Sequence, residues 1–69
     1  MTKISAAVYD PVASFARLIR DLATRIAQWG LDNPTEAQRG ELTCAATHAR
    51  LAATHFLKAN GRKVPEEPS

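Results

Sequence analysis

The feature that most constrains this chain is a run of large apolar residues, Val12, Phe15, Ile19, Leu22, Ile26 and Trp29, spaced three, four, three, four and three. On an α-helix that spacing draws one apolar stripe along one face, the a/d seam of a helix built to pack on other helices. Such a stripe needs a partner, and the remaining residues are read for one.

Asp10-Pro11 is a helix start, since Asp offers a carboxylate to the orphan amides and Pro suits the first helical position. The first helix is expected over about residues 11–29, with Gly30 supplying a left-handed C-terminal cap. Its outward face carries Ser14, Arg17, Arg20, Asp21, Thr24 and Gln28. Leu18 widens the seam, and Ala16, Ala23 and Ala27 give small flanks that let the helix touch more than one neighbour. A short turn follows. Asn33-Pro34-Thr35-Glu36 then repeats the start signal, with Asn33 as cap and Glu36 able to reach back as in a capping box. The second helix is expected over about residues 34–59, stopped by Asn60-Gly61. Its inward stripe reads Leu42, Ala45, Ala49, Ala52, Phe56 and Ala59. Bulky residues on one helix facing alanines on the other allow a close approach. Gly40 lies within this helix, at a cost of about 1 kcal/mol relative to alanine. The fold class is therefore all-α, an antiparallel two-helix hairpin over residues 10–61. An N-terminal arm of residues 1–9 precedes it, and a flexible, proline-containing tail of residues 62–69 follows.

With 69 residues the chain is near the size at which one core struggles to outweigh chain entropy. Small chains compensate with disulfides, metals, oligomers or very regular helices. Cys44 is the only cysteine, so no disulfide forms within one chain, and a lone thiol fits a reducing compartment. A hairpin also leaves Leu18, Trp29, Leu51 and Leu57 incompletely covered. Pairing two hairpins into a four-helix bundle would cover them, and a symmetric homodimer is the expected assembly. No apolar run approaches the roughly 18–20 residues of a membrane span, and residues 1–9 lack the apolar core of a secretory signal. The chain reads as soluble and cytoplasmic.

Chemistry is sparse. Cys44 and His48 are one helical turn apart, but His55 is seven residues beyond His48, about 10 Å along the axis. Zinc ligands sit near 2 Å, so one straight helix cannot offer both histidines to one metal. The plain reading is a partly buried thiol with two histidines beside the interface. No glycine loop for phosphate, paired-carboxylate site or nucleophile with an orienting partner is present, so neither cofactor nor catalysis is expected. Nine basic and seven acidic side chains give a net charge of +2, spread along the chain without a nucleic-acid stripe. Arg17, Arg20 and Arg25 keep phosphate contacts open as the alternative. The favoured function is protein binding. Trp29 and Leu31 at the hairpin tip, with Arg25 one turn before Trp29, are of the residue types that anchor interfaces, and Arg17 and Arg20 extend this candidate surface.

In size and in the helical layout of residues 10–61, the chain resembles the very small phage-encoded proteins that bind and disable host factors. The nearest type is the anti-quorum-sensing inhibitor, a helical-hairpin dimer that captures LuxR-type transcriptional regulators. The resemblance rests on length and helix layout and transfers no individual residue. It implies a homodimer that blocks a host regulator by contact. The near-neutral charge departs from what simple DNA mimicry requires.

Overall fold

A computed structural model describes residues 9–65. Two helices make up its regular structure, α1 over Pro11–Ala27 and α2 over Glu36–Ala59. The start of α1 meets the end of α2 through an Asp10–Arg62 pair, so the helices run antiparallel as a hairpin. Most of the arm expected over residues 1–9, and residues 66–69 of the tail, lie outside the described residues.

The caps show why the elements begin and end where they do. Asp10 caps α1 as expected, its carboxylate accepting from the Val12 amide at 3.1 Å, with Pro11 at the first helical position. The helix stops two residues earlier than the stripe suggests, at Ala27 with Gln28 as cap, so Trp29 stands in the turn. Gly30 does not take a left-handed conformation; in the turn that role falls to Asn33, with φ of 48°. Asn33 consequently does not cap α2. Thr35 does, and it forms a reciprocal box with Gln38 rather than with Glu36: the Thr35 hydroxyl accepts from the Gln38 amide at 3.0 Å, and the Gln38 side chain accepts from the Thr35 amide at 2.8 Å. A box needs its accepting side chain three residues after the cap, and shifting the cap from Asn33 to Thr35 shifts that role from Glu36 to Gln38. At the far end Gly61 adopts φ of 70°. The Arg62 amide bonds the Leu57 carbonyl at 2.8 Å and the Gly61 amide bonds that of Lys58 at 3.0 Å, the paired bonds of a Schellman stop.

This stop turns the chain back across the hairpin. Residues 62–65, read from the sequence as the start of a loose tail, are tied to the helices. Val64 packs on the cluster of Ala16, Ala53 and Leu57, together with Val12, Ile19 and Phe56. Arg62 grips Asp10 through two bonds of 2.9 Å, Nε to Oδ2 and Nη2 to Oδ1. The Arg62 hydrogen bonds, aided by the Val12 amide, hold the Asp10 carboxyl at about 2, against an ordinary value of 3.8. A depressed carboxyl stabilises the fold above its unfolded value, and that contribution fades as pH falls from about 4 towards 2. Asp10→Asn keeps a capping oxygen but loses the ion pair. Its thermal midpoint is therefore expected below wild type at pH 6, with the gap closing between pH 4 and 2; a gap unchanged over that window would mean the pair contributes nothing.

The buried side chains are Ala16 and Ala23 of α1 and Ala46, Ala53 and Leu57 of α2. Four of these five are alanines, so the axes lie close and the hairpin interior holds little apolar volume. The expected inward line of α2 needs correction. Leu42, Ala49 and Phe56 are half-buried, but Ala45, Ala52 and Ala59 are exposed, and the buried line runs one residue further on, through Ala46, Ala53 and Leu57. Alanine identity alone cannot fix the phase of a helix this rich in alanine, and Leu57 decides it by offering the largest buried side chain. The α1 stripe is split as well. Val12, Ile19 and Ile26 are half-buried, whereas Phe15 and Leu22, expected in the core, are 53% and 55% exposed.

Candidate functional site

The split stripe creates the most prominent surface of the molecule. Residues of a 3–4 seam alternate between two lines, and here one line, Val12, Ile19 and Ile26, leans towards α2. The other line, Phe15 and Leu22, leans outward and is joined by Leu18, while Trp29 follows in the turn. Leu18 and Trp29 are 56% and 59% exposed. Phe15 meets Phe56 edge to face, with ring centroids 5.4 Å apart and planes at 68°. That contact fixes which side of α2 flanks the stripe. Ala45, Ala49, Ala52 and Phe56 follow one another at spacings of four, three and four, so they form one line on the same side. The result is a continuous apolar face, large side chains on α1 beside small ones on α2. Two shallow hollows indent it, one of about 400 Å³ lined by Tyr9, Val12, Phe15, Leu18 and Phe56 among others, the other of about 320 Å³ between Phe15, Leu18, Leu22 and Arg25.

The candidate binding residues divide between two flanks. Trp29 and Leu31 are exposed at the tip, and Arg25 is exposed at the last turn of α1 beside the apolar face. Arg17 and Arg20 are not with them; they border a groove on the other flank. The five expected to share one surface divide because Arg17 and Arg20 stand on the Ala13 and Ala16 side of α1, whereas Arg25 stands with Leu18 and Leu22. Arg50, Arg62 and Lys63 join that second flank, and no sequence period announced them, since they come from α2 and from the returning segment.

Cys44, His48 and His55 are all exposed. The thiol, expected to be partly covered, is exposed, and the three side chains lie about opposite the buried line of Ala46, Ala53 and Leu57. His48 Nδ1 donates to the Cys44 carbonyl at 2.7 Å, an ordinary side-chain-to-helix bond. Among the described residues no group of three or more His, Cys, Asp or Glu side chains is arranged to hold a metal ion, and no helix is long and apolar enough to cross a membrane. No family model, curated protein or solved structure matches the chain.

Proposed function

We propose that this chain is a non-enzymatic protein-binding module that pairs with a second copy through the apolar face and presents its tip to a target protein. One observation carries the reading: the outward half of the α1 stripe lies beside an alanine line on α2, so the face is complementary to itself. In a two-fold pair, Phe15, Leu18 and Leu22 of one copy would sit on Ala45, Ala49 and Ala52 of the other, large on small, completing a four-helix bundle. The area is of the right order. The exposed parts of these residues and Tyr9 amount to roughly 500–600 Å² per copy, so a pair would bury about 1,000–1,200 Å², near the lower bound of stable interfaces. A patch of this size is also at the top of what monomers expose. The meagre core supports pairing for the same reason: a short chain whose buried residues are mostly alanine gains most by covering a second face.

The target class is the one the family resemblance implies, a host transcriptional regulator of LuxR type, blocked stoichiometrically in the cytoplasm. Trp29 and Leu31, with Arg25, supply the tip contact. Capture of one protein from host lysate that survives high-salt washing is the expected result. Trp29→Ala should weaken that capture by about tenfold or more, as interface tryptophans do, while leaving the dimer in place. Unchanged retention by this variant would remove the tip from the binding site.

A second reading, phosphate contacts made by Arg17 and Arg20, is favoured by the gathering of Arg50, Arg62 and Lys63 on their flank. Salt separates the two readings, because binding that releases counterions falls steeply with ionic strength and apolar anchoring does not.

A further inference from the structure

The flank opposite the apolar face holds a groove of about 330 Å³ that the tip and dimer contacts leave unused. Ala13, Ala16 and Leu57 line it, Arg17 stands on one wall, and Arg62 and Lys63 stand on the returning segment. Arg20 lines it too and makes an interaction within the structure, so it contributes charge rather than a vacant donor. Asp10 closes one end with its charge already matched by Arg62. Pro65 and Arg20 also line a neighbouring hollow that adds Arg50 and Leu51. Arg17, Arg20, Arg50, Arg62 and Lys63 against Asp10 give this flank +4, whereas the other charged groups among the described residues, Arg25, Arg39 and Lys58 against Asp21, Asp32, Glu36 and Glu41, sum to −1. The charge that looks evenly spread in sequence is sorted by the fold.

We propose that this groove docks an acidic peptide segment of the target protein, with one apolar side chain seated on Ala13 and Pro65, over the buried Ala16 and Leu57, and carboxylates reaching Arg17 and Lys63. The proposal deepens the protein-binding reading by naming the partner's chemistry. Three features select a peptide over a nucleic-acid backbone. The volume matches one or two side chains and sits at the low end of ligand pockets. The lining between the cations is apolar, which phosphodiester chains do not use. The cations come from both walls of a narrow groove rather than from one long stripe, the usual footprint for a duplex. Being on the opposite flank, the groove stays open in the proposed pair.

The test uses the full chain and three fluorescein-labelled probes, followed by anisotropy. They are a short oligoglutamate peptide with one central leucine, the same peptide with serine at that position, and a single-stranded oligonucleotide of equal charge. The leucine peptide is expected to bind the tightest, with the serine peptide weaker by about tenfold, the scale of one buried apolar side chain. In wild-type protein it should shift the methyl resonances of Ala13, Ala16 and Leu57 and spare those of Leu22. The double variant Arg17→Glu, Lys63→Glu should lose at least about tenfold in affinity, with helicity checked by circular dichroism. Arg62 is left intact because it holds the fold. Equal binding of the two peptides, tighter binding of the oligonucleotide, or methyl shifts on the apolar face would each overturn the proposal. Sedimentation of the same samples reads the dimer independently, so a failed groove and a failed pairing face are told apart.

Discussion

Leu22→Asp is expected to convert the protein to a monomer that remains a helical hairpin. Leu22 is more than half exposed in the single chain, so the hairpin itself tolerates a carboxylate there. In a two-fold pair the substitution enters the seam twice, once from each copy. Each carboxylate would lose water on entering an apolar seam, a loss that costs several kcal/mol per group and that Arg25, at the rim of the same hollow, offsets only in part. At micromolar protein, a dimer of ordinary affinity does not survive a loss of that size. Sedimentation velocity at several concentrations checks the outcome, with circular dichroism as control. Thr24→Asp, exposed on the same helix but away from the apolar face, should leave the dimer intact. A Leu22→Asp protein that still sedimented as a dimer would place the pairing face elsewhere.

Ile19→Asp should do more damage, abolishing dimer and helicity together. Ile19 is half-buried and packs on Ala16, Ala53 and Leu57, so a carboxylate there opens the hairpin as well as the seam. The hairpin has little in reserve. Leu57 is its only large buried side chain among the described residues, and the other members of the core are alanines. Removing a large buried apolar group costs about 2–5 kcal/mol, a sizeable share of the stability of any small domain. A charge placed among such residues adds desolvation to that loss. The far-ultraviolet signal is expected to fall to that of an unfolded chain at 25 °C. A variant that stayed helical but became monomeric would show that Ile19 serves the seam alone, and that Val12 and Ile26 carry the intrachain contact.

The contrast between these two variants marks how far sequence legibility extends. The seam on α1 was readable because six large apolar residues at three-and-four spacing admit one arrangement. Its division into an inward line at Val12, Ile19 and Ile26 and an outward line at Phe15 and Leu22 was not readable. That division depends on the rotation of α1 about its own axis, set by contact with Ala53, Leu57 and Val64. The phase of α2 was misplaced by one residue for a related reason. Alanines at 45, 46, 49, 52, 53 and 59 permit several lines of equal quality, and only the packing of Leu57 selects among them. The line assigned to the hairpin interior, through Ala45, Ala49 and Ala52, flanks the outward face instead. It kept its large-against-small logic and changed the partner to which that logic applies.

Caps followed the same pattern. Asp10 and Gly61 were legible because each satisfies a local hydrogen-bond demand without help from elsewhere. The start of α2 was ambiguous, since Asn33 and Thr35 are both competent caps; the reciprocal bonds of Thr35 with Gln38 decide it. The basic groove was the least legible part. Its walls come from residues 17–20 and 62–63, which a sequence reading has no reason to bring together until Asp10 and Arg62 are seen to pair.

The most direct test of the pairing face is an isotope-filtered nuclear Overhauser experiment on a sample mixed from labelled and unlabelled chains. Only contacts between two copies survive the filter. Cross-peaks are expected from the Phe15 ring and the Leu18 and Leu22 methyls of one copy to the methyls of Ala45, Ala49 and Ala52 of the other. Filtered spectra empty of these peaks at millimolar concentration, or carrying peaks from Leu51 on the basic flank instead, would contradict the self-complementary face from which the proposed function starts.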